Sequence, residues 1–297
     1  MKFSFAIFIA VGGALAGTLR VCEAETITAL SPSNFVEVGD SVSEVLDTSG
    51  LAFSTMLMDP TNLDGQVRGA NFVVPASAPA ARAQVFRKTC PGGGSVQINV
   101  LDADNSGDLS TSDRFRLNFG ACSIGGDTVS GRSEFVVSAH RFEGTSEITE
   151  LDFRFDRLGS TAMRWTGKAH AALKSDLQRG TESYVVTYHD MTVTRGAQTM
   201  RWNFSVDMVR PPIGDQVASV QGAMTVDGLL LHLQQDEPFV IAASGHPSSG
   251  QITARDPNGA RLQIEGQRRR YAYRFFSAKN AGDVADSASQ SKALGGR

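Results

Sequence analysis

The chain has 297 residues, a net charge of −3 at pH 7 and 41% hydrophobic residues. These values exclude a strongly basic nucleic-acid-binding protein, because such a protein needs a wide positively charged surface. The basic run Arg268–Arg270 has no such surround, so we expect no nucleic-acid partner. The length fits one large β domain or two smaller ones.

The first 24 residues are typical of a secretory signal peptide. Lys2 gives a short positive start, residues 3–17 are uncharged and mostly apolar, and Cys22-Glu23-Ala24 is a small-x-small cleavage site. The apolar run is shorter than the roughly 18 residues that a membrane-spanning helix needs. We therefore expect cleavage after Ala24 and a periplasmic or extracellular protein, with a cut after Ala16 as the alternative.

Most of the chain after this segment alternates apolar and polar residues, and its middle lacks long helical periodicity. This pattern predicts a mainly β protein, an antiparallel meander forming a strongly curved sheet, half-barrel or barrel, with few short helices. We divide the chain into a signal peptide (1–24), a mixed N-terminal segment (25–82) with a short helix within Val42–Met58, an antiparallel β domain (83–276) and a polar C-terminal tail (277–297). The tail is expected to be a frayed helix or disordered.

A short signature, apolar-x-Gly before an alternating run, recurs four times, at Val129–Gly131, Trp165–Gly167, Val220–Gly222 and Ile264–Gly266. Glycine inside a strand often marks a bulge or a sharp bend. Repeated bends let a broad sheet curl, so the signature favours a curved sheet over a flat one.

The cysteine count predicts one disulfide. Of the three cysteines, Cys22 leaves with the signal peptide, and Cys90 and Cys122 remain. An even pair in an oxidising compartment indicates a disulfide. Cys90 precedes the alternating run Ser95–Val100 and Cys122 follows the run Phe115–Phe119, so an antiparallel hairpin would bring the two together.

One chemical motif lies between those two runs, the twelve-residue segment Asp102–Asp113. A calcium loop of this length takes oxygen ligands from positions 1, 3, 5, 7, 9 and 12, with glycine at position 6. Gly107 occupies position 6. The candidate metal ligands are Asp102, Asp104, Ser106, the carbonyl of Asp108, Ser110 and Asp113. The sequence therefore predicts a structural calcium ion in this loop.

Two features of the loop depart from the helix–loop–helix calcium motif. Its flanks alternate like strands, and position 12 is Asp113, whose side chain is shorter than the usual glutamate. We expect a weak site, with a dissociation constant of roughly 10⁻⁴–10⁻³ M. The alternative is an acidic hairpin turn in which Asp102 and Asp104 only cap the backbone.

The same region carries a family resemblance. The pattern runs from Cys90-Pro-Gly-Gly-Gly through Asp102-x-Asp104-x-x-Gly107-x-Leu109-Ser110-x-x-Asp113 to Phe119-Gly-Ala-Cys122. It resembles uncharacterised exported β-rich proteins of Gram-negative bacteria, over residues 90–131. The resemblance implies export, a disulfide and a β fold, and it carries over no catalytic residue.

No catalytic residue is predicted. No Gly-x-Ser-x-Gly motif surrounds a serine, and the five histidines show no metal-binding spacing. We expect an exported, non-enzymatic binding or envelope-associated protein, whose concave apolar face would take a lipid or other hydrophobic ligand by fold-level analogy. The alternatives are an outer-membrane β-barrel and a hydrolase of unrecognised type.

Overall fold

The structure is a computed structural model. It describes residues 27–44, 83–90, 92–124, 127–160, 162–242, 247–267, 270–278 and 288–293. The predicted signal peptide, its cleavage site and residues 45–82 lie outside the described residues.

The described residues form one helix, α1 (residues 35–44), and fourteen strands. The strands are β1 Ala83–Thr89, β2 Ser95–Leu101, β3 Arg114–Ile124, β4 Asp127–Glu143, β5 Ser146–Gly159, β6 Met163–Asp176, β7 Thr181–Arg195, β8 Gln198–Arg210, β9 Gln216–Val226, β10 Leu229–Ile241, β11 Pro247–Arg255, β12 Arg261–Gln267, β13 Arg270–Phe276 and β14 Ala288–Ala293. No helix among them is long and apolar enough to cross a membrane.

The strands form a single sheet in chain order from β1 to β14. Every neighbouring pair is antiparallel. The predicted antiparallel meander is therefore confirmed, and in the part of the chain that is described β1 and β14 are its two open edges. Successive hairpin turns alternate between the two ends of such a sheet. We call the end with the β2–β3, β4–β5, β6–β7 and β8–β9 connections end A, and the opposite one end B.

One face of the sheet is buried over most of its width. In β8, for example, Met200, Trp202 and Phe204 point inward and are at most 2% exposed. Among the described residues, the other layer on this face is α1, which is about 15 Å long and far too short to cover it. The buried side chains of this face instead pack against one another in one hydrophobic cluster.

Two bulges interrupt the regular strand pairing, and bulges of this kind bend a strand and increase its twist. Opposite Gly131 in β4, the neighbouring strand β5 carries an extra residue at Arg157, which has a φ of 47°. Opposite Gly167 in β6, strand β7 does the same at Asp190, with a φ of 52°. A side chain on Gly131 would place its Cβ 2.2 Å from the Arg157 carbonyl oxygen, so only glycine lets the two backbones approach this closely. Two of the four glycine signatures thus mark bulges.

Residues 27–44 close the sheet at end B. Phe35, Val38 and Val42 recur at helical spacing, and all are buried. The backbone N–H of Leu30 donates to Oδ2 of the buried Asp256, at 3.0 Å, and the Tyr273 hydroxyl of β13 donates to Asp40 at 2.9 Å. The segment therefore ties the turns and strands of the second half of the sheet together.

Two elements differ from the sequence prediction. The helix begins at Phe35, after the turn that contains Ser31 and Asn34 and seven residues before the expected Val42, and residues 45–58 of the predicted helix lie outside the described residues. The Asn34 side chain accepts from the Ser31 N–H at 2.9 Å. The second difference is β14, which pairs with β13 inside the tail expected to be a frayed helix or disordered.

Candidate metal site

The predicted metal loop connects β2 and β3 at end A. These strands pair in register from Ser95 opposite Gly120 to Leu101 opposite Arg114. Alternation places Ile98 and Leu117 on the buried face, and these apolar contacts fix the register. The hairpin therefore brings the two ends of the Asp102–Asp113 loop close together at end A.

The disulfide closes the opposite end of the same hairpin. Cys90 and Cys122 are bonded, with their Cα atoms 5.4 Å apart, across a sequence separation of 32. Both are buried, and the Cys90 N–H donates to the carbonyl of Gly94 at 3.2 Å. The predicted disulfide is confirmed, and it indicates an oxidising compartment.

The first half of the loop folds around two aspartates. The Gly107 N–H donates to Asp102 Oδ2 at 2.9 Å, and the Ser106 N–H donates to Asp104 Oδ1 at 3.0 Å. Gly107 has a φ of 79°, in the left-handed region that suits glycine. These contacts are the backbone capping expected of an acidic turn, and they use one oxygen of each carboxylate.

Asp113 anchors the second half of the loop. It is 2% exposed. Its Oδ1 accepts from the Ala103 N–H at 2.8 Å and from the Ser110 hydroxyl at 3.0 Å, and its Oδ2 accepts from the Ser110 N–H at 2.7 Å. The carboxylate therefore ties the start of the loop to its end.

Three carboxylates converge in the loop. Asp102, Asp104 and Asp113 each offer an oxygen, and the three oxygens lie within 4.8 Å of one another. Asp102 Oδ1 is buried and has no hydrogen-bond partner. A buried carboxylate oxygen without a donor is costly, and three negative charges at this separation repel one another. Both costs are removed by a hard cation that accepts oxygen ligands.

Asp104 is held in its charged form. Hydrogen bonds from the Ser106 side chain and backbone lower the pKa of its carboxyl group below the ordinary value. The carboxylate is solvent-exposed, so water screens its charge and the effect is modest. The carboxylate is ionised at neutral pH even with its ordinary pKa, and the lowered pKa extends the charged form to more acidic pH.

The other three predicted ligands form hydrogen bonds within the loop, which leave lone pairs on their oxygens. The Ser106 hydroxyl donates to the Asp108 carbonyl at 3.0 Å, so these two candidates contact each other. Ser110 uses its hydroxyl on Asp113. The structure thus gathers Asp102, Asp104 and Asp113, and it places Ser106, Asp108 and Ser110 in supporting hydrogen bonds.

The loop is also attached to β4, which the sequence did not reveal. The Ser112 N–H donates to the Val137 carbonyl at 2.8 Å, and the Val137 N–H donates to the Asp113 carbonyl at 2.9 Å. The His140 N–H donates to the Thr111 hydroxyl at 3.2 Å. These partners are distant in sequence and follow no local pattern, so only the β3–β4 pairing brings them together.

The residue types of a hydrolase meet on the outer face of the sheet. Asp152 and His170 are opposite one another in β5 and β6, with Oδ1 and Nδ1 2.8 Å apart. The next two strands continue the row with Thr187 and Ser205, whose hydroxyls are 2.8 Å apart. Among the described residues no hydroxyl is hydrogen-bonded to the His170 ring, so the row lacks an activated nucleophile.

Comparisons with known proteins return no relative. No family model, no curated protein and no solved structure matches the chain. The carboxylate cluster and the hairpin that carries it are therefore the observations on which a function is proposed.

Proposed function

We propose that this chain is an exported, non-enzymatic protein of the cell envelope whose β2–β3 loop binds one structural calcium ion. The observation that carries the metal proposal is that Asp102 has a buried carboxylate oxygen, Oδ1, without a donor, and belongs to a cluster in which one oxygen each of Asp102, Asp104 and Asp113 lie within 4.8 Å of one another. Calcium prefers several oxygen ligands. Carbonyl oxygens and water complete the shell.

The ion would stabilise one end of a hairpin whose other end is cross-linked. The loop lies at end A and the Cys90–Cys122 bond at end B. This hairpin supports β1, which is one of the two open edges of the described sheet. Exposed sheet edges are prone to pair with other chains. Fixing both ends of the β2–β3 hairpin would hold the neighbouring edge strand β1 in place and so protect this edge.

Thermal unfolding with and without calcium tests the metal proposal. In about 5 mM calcium, a site of the expected affinity adds about 1–2 kcal/mol to the free energy of unfolding, which raises the Tm by about 2–6 °C over the chelated protein. Magnesium is the control, since it demands a stricter octahedral geometry. Identical melts in calcium and in chelator would reduce the loop to an acidic turn.

Export is supported by the disulfide and by the signal-like first 24 residues. The sequence of the N-terminus of the protein recovered from the periplasm or medium tests it. We expect Glu25 as the first residue. Recovery of a chain that starts at Met1, in the cytoplasmic fraction, would contradict the proposal.

A hydrophobic ligand stays a prediction from fold analogy. The inner face of the described sheet is filled by its own large side chains, with Trp202, Tyr271 and Tyr273 each below 2% exposed. These side chains leave the metal loop as the better-supported site. Uptake of a fluorescent fatty acid by the purified protein would revive the ligand hypothesis, and no uptake at high protein concentration would remove it.

A further inference from the structure

Three neighbouring hairpins carry exposed apolar side chains at their tips. Phe142 lies beside the β4–β5 turn and is 63% exposed, Leu177 lies in the β6–β7 turn and is 61% exposed, and Ile213 lies in the β8–β9 turn and is 90% exposed. Val209 and Val217 are paired just below Ile213 and are also exposed. With Val185 of β7, six of the eight large hydrophobic side chains that are exposed in the described chain thus lie on these hairpins.

The three tips lie at one end of the sheet. Alternate connections of an antiparallel meander fall at the same end, and these three belong to end A. Two strand spacings separate one tip from the next, which is about 10 Å. The metal loop is at this end too, and it contacts the first tip, because His140 hydrogen-bonds to Thr111 and its ring packs against Phe142 at 5.6 Å.

We propose that end A docks on a lipid bilayer, with Phe142, Leu177 and Ile213 inserted into the bilayer interface. The proposal names the partner of the envelope protein proposed above and rests on that function, because export is what places the chain beside an envelope membrane. The occupant is the surface of the membrane, and the sheet itself stays outside the hydrocarbon core.

The form of the tips favours a lipid surface over a protein partner. A stable protein interface buries about 800 Å² on each side in a continuous, well-packed patch. Here the apolar apexes are about 10 Å apart, and charged residues such as Glu143 and Glu182 stand between them. Separate apolar points need a partner that closes around each of them, which a fluid bilayer does.

Each tip also pairs its apolar residue with an arginine. Arg141 adjoins Phe142, Arg179 follows Leu177 by two residues, and Arg210 precedes Ile213 by three residues. All three arginine side chains are about half exposed or more, and each also forms an ion pair with a nearby carboxylate, that of Glu143, Asp176 or Glu182. Long cationic side chains reach the phosphates of a bilayer while apolar neighbours insert.

Vesicle flotation tests the docking proposal. The purified exported protein is mixed with phosphatidylcholine vesicles and centrifuged through a density gradient, in calcium and in chelator. We expect wild type to float with the vesicles and the triple variant F142D/L177D/I213D to stay at the bottom, with about a tenfold loss of partitioning for each tip. Val85→Asp is the matched control, because Val85 is 62% exposed in β1 and should float like wild type.

Two results would overturn the proposal. One is wild-type protein that does not float in either buffer, and the other is a triple variant that floats as well as wild type. Sedimentation velocity without vesicles tests the competing occupant, a second copy of this chain. If the wild type is a dimer and the triple variant is not, end A is a self-association surface, which would also overturn docking. Unfolding curves show whether each variant is folded. Flotation in chelator tests docking without bound calcium. The thermal melts test calcium binding without vesicles, so the two proposals can fail separately.

Discussion

Asp102 and Asp113 stand at the two ends of the β2–β3 loop, and an oxygen of one carboxylate lies within 4.8 Å of an oxygen of the other. Both carboxylate oxygens of Asp113 accept hydrogen bonds from N–H and O–H groups of the loop. Asp102 Oδ1, in contrast, is buried and has no hydrogen-bond partner. The loop is therefore preorganised by one aspartate and left with an unused ligand on the other, which is the arrangement expected of a cation site.

Asp102→Asn is expected to abolish the stabilisation by calcium. The substitution removes a negative charge and an anionic ligand while keeping the size of the side chain, so the calcium-dependent rise in Tm should disappear. Melts of the variant in calcium and in chelator measure this. Asp108→Asn is the charge-matched control, since Asp108 was predicted to contribute only its carbonyl and should keep the full rise. Equal loss in both variants would show that net charge, and not a site at Asp102, causes the effect.

Removing the disulfide is expected to destabilise the protein strongly. The bond spans 32 residues, and cross-linking a loop of this length contributes roughly 3–4 kcal/mol in the chain-entropy model. Urea unfolding of the double variant C90S/C122S measures the loss. Reductant should lower the stability of wild type to that of the variant and leave the variant unchanged. A variant as stable as oxidised wild type would contradict the account of a hairpin held at both ends.

Gly131→Ala is expected to destabilise the sheet by roughly 1–3 kcal/mol through backbone strain alone. Gly131 has a φ of 107°, and a Cβ there would lie 2.2 Å from the Arg157 carbonyl oxygen. Gly120→Ala is the control, because the nearest atom to its added Cβ is at 3.6 Å. Urea unfolding of the two variants compares them. If both lost the same stability, the bulge at Gly131 would not be the tight contact described here.

Asp256→Ala is expected to loosen the N-terminal segment. The buried carboxylate accepts from Leu30 and Ala260, and each buried N–H left without an acceptor costs roughly 1–3 kcal/mol. Limited proteolysis should therefore cut residues 27–44 faster, and urea unfolding should show a loss of about 2–4 kcal/mol. The exposed Asp207→Ala should do neither. Unchanged proteolysis of Asp256→Ala would mean that other contacts hold the segment.

Much of the fold was predictable because the sheet is one meander with one buried face. The alternation at Ser95–Val100 and Phe115–Phe119 predicted strands β2 and β3, and their flanking cysteines predicted that the two strands pair as a hairpin. Gly131 and Gly167 marked two bulges in the strand pairing. These features are local, so period and residue type report them directly.

The remainder depends on contacts distant in sequence. The helix was placed too late, because the burial of its first residue, Phe35, depends on distant contacts such as the ring of Phe275 in β13, 6.0 Å away between ring centroids. Strand β14 is small and polar and has no strand signal of its own, so its pairing with β13 decides its state. In the site, the motif located the three aspartates. It could not show that the hydroxyls of Ser106 and Ser110 would donate hydrogen bonds within the loop.

Direct titration of calcium into the purified exported protein is the sharpest test of the central claim. Isothermal titration calorimetry should give one site per chain, with a dissociation constant of roughly 10⁻⁴–10⁻³ M, and the Asp102→Asn variant should give no binding. Binding of the same strength in wild type and in the variant, or no binding in wild type, would contradict the assignment of the Asp102–Asp113 loop as a calcium site.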